Sequence, residues 1–372
     1  MFRRIKGQDH TIELLRRAIL NERVAQAYLF HGSDGVGKFM TALYFGMALN
    51  CVALPELRPC GQCDSCHKFL SLEHPDLVYV FPTPNLDLSV DGLIKKKEPL
   101  AQYQAYLKNK INSPWEEFYF KENTGIRLEN IHWLMKRLEL SIHEARHRVV
   151  IIENIDEMTI QTANAFLKTL EEPPSSTVII MITERLQMVL PTILSRTQPV
   201  YFKPLARSVI ETILVDQFAA GLSVARTAAR ISAGNLKNAI RMAQDSASEP
   251  QKAALEMMEL AASGNDHGYL AMLDRRKESQ TKEQINELLK FLRILAGDLA
   301  AISLSEALEI TNIDKLEILK RITANCPGIA EGSHDYLLAL EDFNRKLDGN
   351  VNPQLILINL YLKTRNWLHS KL

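Results

Sequence analysis

The chain has 372 residues, enough for two or three domains, and 46% of them are hydrophobic, so neither size nor composition limits its cores. Its 44 basic and 44 acidic side chains cancel, which excludes the broad positive field of a protein that holds nucleic acid by itself. The sequence contains no apolar run of signal-peptide or membrane-spanning length, and a soluble cytoplasmic protein is expected.

From the start, Ile5-Lys6-Gly7-Gln8 opens a short amphipathic helix in which Leu14, Leu15, Ala18 and Ile19 recur at helical spacing. An apolar strand, Ala27-Tyr28-Leu29-Phe30, then runs into His31-Gly32-Ser33-Asp34-Gly35-Val36-Gly37-Lys38-Phe39, and a helical pattern begins near Met40. The spacing is that of a phosphate-binding loop. Gly32, Gly35 and Gly37 allow backbone N–H groups to turn inward around phosphate oxygens at a helix N-terminus, and Lys38 would reach the terminal phosphates. The residue after the lysine should be Ser or Thr, whose hydroxyl holds Mg²⁺, yet here it is Phe39. Binding of ATP or ADP therefore stays open, and hydrolysis is not expected. The helix from Phe39 to Asn50 is read as buried on one side, through Leu43, Phe45, Met47 and Leu49.

Cys51, Cys60, Cys63 and Cys66 follow, spaced C-x8-C-x2-C-x2-C around Pro55, Pro59 and Gly61. In a reducing compartment such a cluster favours four thiolates around a structural Zn²⁺ over disulfides. His67, directly after a ligand, is read as a surface side chain or one that supports the ligands from behind, and Cys326 as an ordinary packed thiol.

Leu77-Val78-Tyr79-Val80-Phe81 is a second strand candidate, after which regular alternation stops from Pro82 to about Gly125. This insertion carries Lys95-Lys96-Lys97, a helical pattern through Leu100, Tyr103, Leu107 and Ile111, and aromatics at Trp115, Phe118, Tyr119 and Phe120. Basic residues beside aromatics could grip single-stranded nucleic acid, but a local subdomain packing its own aromatics is the preferred reading.

Leu128, Ile131, Leu134, Met135 and Leu138 mark a further helix, and Arg148-Val149-Val150-Ile151-Ile152 reads as a central parallel strand. An active phosphate-loop enzyme needs acids at the end of that strand, where this chain has Glu153-Asn154. Glu153 has a carboxylate that could approach a metal, whereas Asn154 cannot take a proton. Thr159 is placed to cap a helix through Ile160, Ala163, Leu167 and Leu170, stopped by Pro173-Pro174. The strand Thr177–Thr183 ends in a polar residue that could face a nucleotide, and a last strand lies around Val200-Tyr201-Phe202. Such alternation around a phosphate loop implies an α/β domain with a parallel sheet covered on both faces.

These residues together resemble the AAA+ clamp-loader subunits of bacterial DNA polymerase III, the gamma/tau/delta-prime group. The resemblance is carried in order by Ile5-Lys6-Gly7-Gln8, Ala27 to Gly32, the four cysteines, His74-Pro75-Asp76, Ala163 to Pro174 and Ile193-Leu194-Ser195-Arg196. It implies zinc on the four cysteines, and an arginine finger at Arg196 acting on a neighbour's ATP, although Thr197 replaces the cysteine of the family's Ser-Arg-Cys motif. Motor subunits of the gamma/tau type keep the phosphate loop and the acidic strand end. Phe39 and Asn154 instead fit the delta-prime branch, with gamma/tau and delta subunits as partners in a hetero-pentamer that places a sliding clamp on primed DNA.

The remainder from Lys203 is helical. Ala233-Gly234-Asn235-Leu236-Lys237-Asn238-Ala239 resembles the family's lid segment, with Lys237 where an arginine contacts nucleotide. Ser246-Ala247-Ser248-Glu249-Pro250 reads as a linker, and Asn352-Pro353 as the cap and first residue of a closing helix. The expected organisation is an AAA+ phosphate-loop domain over 1–202, with a zinc loop at 51–66 and an insertion at about 82–125. An all-α lid follows at 203–247, and an all-α collar at 248–372. Two other functions fit parts of the pattern: an active gamma/tau-like ATPase, and a zinc-dependent nucleic-acid-binding protein.

Overall fold

The structure is a computed structural model, and it describes residues 2–86, 94–116, 118, 120, 122–244, 249–276, 281–304, 310, 312, 315–326, 328–347 and 352–369. Tyr119 of the insertion and Ser246-Ala247-Ser248 of the expected linker lie outside the described residues. The chain divides into two compact units, residues 1–210 with 232–238, and residues 211–231 with 239–372. The segment expected as a lid is thus shared between them. Among the described residues no helix is long and apolar enough to cross a membrane.

In the first unit, the apolar runs form β1 (Ala27–His31), β2 (Leu77–Val80), β3 (Arg148–Ile152), β4 (Thr177–Thr183) and β5 (Gln198–Tyr201). They pair in parallel in the order β2-β3-β4-β1-β5. Alternate side chains point to opposite faces, so Val149 and Ile151 of β3 enter one core and Val150 and Ile152 the other. Every residue of β3 and β4 is buried, as two covered faces require.

Helices α1 (Asp9–Leu20), α2 (Lys38–Asn50), α3 (Asp64–Leu70) and α4 (Lys97–Asn112) supply side chains to the first core. Helices α5 (Leu128–Glu139), α6 (Ile160–Glu171) and α7 (Pro191–Leu194) supply the second. Two amphipathic readings need correcting. The face α1 buries is Thr11, Ile12 and Leu15, while Leu14 is exposed. Helix α2 is buried on all sides rather than one, because its outer face is itself covered by neighbouring elements; of its residues only Met40 is not buried.

The insertion returns to its starting point. Thr83 and Gly125 exchange backbone hydrogen bonds at 3.2 and 3.1 Å, so the excursion leaves and re-enters through a closed neck. Within α4 the half-buried side is Tyr103, Tyr106 and Leu107, packed against the first core, whereas Leu100 and Ile111 are exposed. Phe118 and Phe120 meet Tyr106 with ring centroids 5.5 Å apart, so these aromatics turn inward on one another.

Helices α8 (Arg207–Phe218) and α10 (Leu236–Gln244) begin in the first unit and run into the second, which holds α9 (Leu222–Ile231), α11 (Glu249–Ala262), α12 (Asp266–Arg275), α13 (Lys282–Ser303), α14 (Leu316–Asn325), α15 (Ile329–Leu347) and α16 (Pro353–Leu368). Asn352 caps α16 by accepting from the N–H of Gln354, with Pro353 at the first helical position. Helix α16 closes the core through two stacked pairs, Tyr269 on Tyr361 at 3.9 Å and Tyr336 on Trp367 at 4.2 Å. Buried polar tips are satisfied: Tyr269 donates to the Leu357 carbonyl at 2.8 Å, and Trp367 to that of Ile329 at 3.1 Å.

Candidate functional site

Parallel strands end together, so the loop after β1, Glu153 after β3 and Thr183-Glu184 at the end of β4 gather at one edge of the sheet. The loop turns with φ of +67° at Gly35 and +93° at Gly37, the latter in the left-handed conformation that opens α2. A Cβ at Gly35 would lie 2.0 Å from Asn235 Oδ1, so only glycine allows segment 232–238 to approach this closely. Gln8 fastens the loop from behind, donating to the carbonyls of Val36 at 3.3 Å and Lys203 at 2.8 Å.

The phosphate side of the loop is satisfied from within. Lys38 Nζ donates to the carbonyls of Gly32 at 2.8 Å and Ser33 at 2.5 Å. The Gly35 N–H, one of the groups that would face a phosphate, donates to Asp34 Oδ1 at 2.7 Å. Lys237, on the first turn of α10, reaches Asp34 at 3.3 Å, and the Leu236 N–H donates to the Gly35 carbonyl at 3.1 Å. Burial alone would raise the Asp34 pKa, but Lys237, the Gly35 N–H and Lys38 outweigh it and keep the carboxyl below its ordinary value. Glu184 is pushed up to about 7 by burial and by the charge of Asp34, against the pull of Lys38 and Lys237. Asp34 thus offsets part of the positive charge of Lys38 and Lys237 that a nucleotide's phosphates would draw on.

The metal side is equally occupied. Phe39 packs against Tyr79 with centroids 5.3 Å apart, and Lys110 Nζ lies 4.3 Å from the centre of its ring. Glu153, 9% exposed, receives Lys110 Nζ on Oε1 at 2.9 Å and the hydroxyl of Tyr79 on Oε2, with Tyr106 also donating to Oε2 at 3.4 Å. Burial, then the Glu153 charge, pushes both tyrosine pKa values well up, so they remain donors. Thr183 donates to Asp156 at 2.7 Å, and Asp156 also receives Arg185 Nε at 2.7 Å, which ties the end of β4 to the turn after β3. The residues present do not fit a magnesium–nucleotide pair: the hydroxyl ligand is missing, the carboxylate is engaged, and the loop amide is taken.

Sequence reasoning placed Gly32, Gly35, Gly37, Lys38, Glu153, Thr183 and Lys237 around one pocket, and all lie at this edge or on the segment packed against it. It missed Asp34, Glu184, Tyr79, Tyr106 and Lys110. Asp34 lies inside the loop motif and was available as a signal; Lys110 was not, since it belongs to an insertion remote in sequence from Glu153.

Cys51, Cys60, Cys63 and Cys66 form a second site, with their Sγ atoms all within 4.8 Å of one another and no disulfide among them. The Cys60 N–H donates to Cys51 Sγ and the Gln62 N–H to Cys60 Sγ, each at 3.4 Å, in the manner that supports thiolates. The Gln62 amide holds Cys60 down at about 6, while burial pushes Cys51 and Cys66 up. Four converging sulfurs with amide support fit a tetrahedral metal ion.

Arg196 lies elsewhere. It follows α7, bordering an open cleft of about 730 Å³ that also touches Ala25, Gln26 and Ala27, at the start of β1. Its own phosphate loop leaves the other end of that strand, about 17 Å away at the rise of five extended residues. Glu171 holds the guanidinium, accepting from both Nε, at 2.8 Å, and Nη2; Nη1 donates to the Thr192 carbonyl at 3.0 Å.

Fold and site together define a phosphate-loop protein whose loop is engaged by its own side chains and which carries four converging cysteines that could hold a metal ion. The sequence profile described as DNA polymerase III, delta subunit, matches residues 7–206, and the chain belongs to that family. It is 28% identical over 357 residues to DNA polymerase III subunit delta' of Bacillus subtilis (strain 168), covering 95% of each chain. It is 27% identical over 246 residues to DNA polymerase III subunit tau of Escherichia coli (strain K12), covering 65% of this chain and 32% of that one. A solved gamma subunit-related protein of Thermotoga maritima gives a TM-score of 0.44 at 16% identity, covering 96% of this chain and 99% of that chain.

Proposed function

We propose that this chain is a non-hydrolysing, delta-prime-type subunit of the DNA polymerase III clamp loader. In this reading it joins gamma/tau and delta subunits in a cytoplasmic hetero-pentamer and helps load the sliding clamp on primed DNA. Residues 1–202 serve as the AAA+ domain, 203–247 as the lid and 248–372 as the collar that joins the subunits, with Zn²⁺ on Cys51, Cys60, Cys63 and Cys66. The cysteine thiolates would hold that ion, and it would supply cross-linking of the loop rather than chemistry.

The observation that carries the reading is the separation of Arg196 from the chain's own loop. A guanidinium at the opposite end of β1 cannot serve the pocket of its own chain, but it can project into a neighbour's. There it would stabilise charge developing on the transferred phosphoryl group; trans-acting arginines in GTPases contribute about 10³–10⁵ in rate. The test is a loader reconstituted with wild-type or Arg196→Ala subunit, equal assembly being confirmed by sizing. We expect DNA-stimulated ATPase to fall in part and clamp loading to fall further, since other ATP sites do not depend on this subunit. If Arg196 is only a surface ion pair with Glu171, worth about 1 kcal/mol or less, both rates stay unchanged.

A further inference from the structure

The insertion helix touches both positions at which a phosphate-loop protein grips its metal. The residue after the loop lysine and the acid after β3 would ordinarily share one Mg²⁺. Here Phe39 offers an aromatic face and Glu153 a carboxylate, and Lys110 Nζ meets both, at 4.3 Å from the ring centre and 2.9 Å from Oε1. An ammonium over a ring face and against a carboxylate is a stable substitute for a cation held by oxygen ligands. We propose that α4 is an intramolecular occupant of the metal half of the pocket, with the Lys110 ammonium standing where a nucleotide-bound divalent cation would stand.

Three further contacts hold the occupant in place. Tyr106, one turn before Lys110, stacks on Phe81 at 4.1 Å, and its hydroxyl shares a hydrogen bond with that of Tyr79 at 3.1 Å. Tyr103 stacks on the same Phe81 at 5.3 Å. The exposed fractions of the Lys110 and Glu153 side chains are 17% and 12%, so water screens their attraction only weakly. Phe39 and the insertion thereby explain each other: with a hydroxyl at 39 the ammonium would lose its ring face, and without Lys110 the buried carboxylate of Glu153 would lose the ammonium paired with it.

The inference rests on reading the loop as a nucleotide pocket that no longer turns over, and not on the partners. Its experiment uses the full chain alone, so its failure leaves the Arg196 measurement untouched. Lys110→Met keeps the apolar stem over Phe39 and removes the charge. Thermal unfolding of the wild type, Lys110→Met and Lys110→Met/Glu153→Gln is followed with and without millimolar Mn²⁺, a hard cation that carboxylates accept and thiolates do not favour. We expect Mn²⁺ to raise the midpoint of Lys110→Met by about 2–4 °C, a shift typical of a bound ligand in a domain of this size. It should leave the wild type and the double variant unmoved. A Lys110→Met midpoint indifferent to Mn²⁺, or equal shifts in all three proteins, would overturn the proposal. Should Lys110→Met fail to fold, Lys110→Gln, which retains a donor for Glu153, is read by the same criteria.

Discussion

The carboxylate of Asp76, 2% exposed, accepts the backbone N–H groups of His143, Glu144 and Ala145 at 2.8, 2.9 and 2.9 Å, fixing the loop that feeds β3. Asn50 does the same one step later, its Oδ1 accepting from Arg146 at 3.0 Å and His147 at 2.9 Å. Arg148 completes the set by donating to the carbonyls of Leu138, Leu140 and Ser141, which end α5. Burial would raise the Asp76 pKa, but the three amides hold it below its ordinary value. A depressed carboxyl contributes stability above its unfolded pKa and loses it as pH falls through the folded value. Asp76→Asn leaves one carbonyl oxygen for three amides, so we expect it to cost about 1–3 kcal/mol at neutral pH in urea unfolding. The cost should shrink in acid, where the wild-type carboxylate also becomes protonated. A variant as stable as the wild type at neutral pH would show that water serves the amides equally well.

At the scale of elements, what could be read from the sequence was what is local. β3 and β4 were legible as continuous apolar runs, and the cap of α6 as Thr159, which accepts from the Thr162 N–H. Helix α4 was legible as a helix, but its packed side was not: Leu100 and Ile111 fit the apolar pattern, yet the contacts are made by Tyr103, Tyr106 and Lys110, whose partners Phe81, Tyr79, Glu153 and Phe39 are remote in sequence. Phe39 was visible as a departure from the loop pattern, while the ammonium over its ring depends on tertiary structure that no spacing encodes. The cysteine loop is the reverse case, since the spacing alone points to the convergence seen in the structure. Metal analysis of chelator-washed protein should give about one zinc ion per chain, with metal–sulfur distances near 2.3 Å. Cys60→Ser should lower occupancy and increase hydrogen exchange within residues 51–66 without unfolding the domain, because Cys60 is only partly buried at the margin of a core that Cys51 and Cys66 enter. Full activity of metal-free protein with the loop still protected would remove the structural role.

For the molecule as a whole, the first unit keeps the sheet of a nucleotide-binding protein while its pocket is filled from three directions: by the loop itself, by segment 232–238 and by the insertion. The purified chain should therefore show no ATPase above background, with or without DNA. Phe39→Thr alone should not restore turnover, since Asn154 still cannot take a proton and Lys110 still holds Glu153. Robust hydrolysis lost on Lys38→Ala would return the reading to a gamma/tau-like ATPase. The strand order carries a last consequence, for biosynthesis. β1 is made early, but among the described residues it pairs only with β4, Ala27 opposite Ile179, and with β5, Tyr28 opposite Gln198. The sheet cannot close around it until the ribosome has delivered both, whereas β2 needs only β3. Until then the apolar strand ahead of the loop waits on an incomplete chain, so the nascent protein is most prone to aggregate, and most in need of a chaperone, before β4 and β5 emerge.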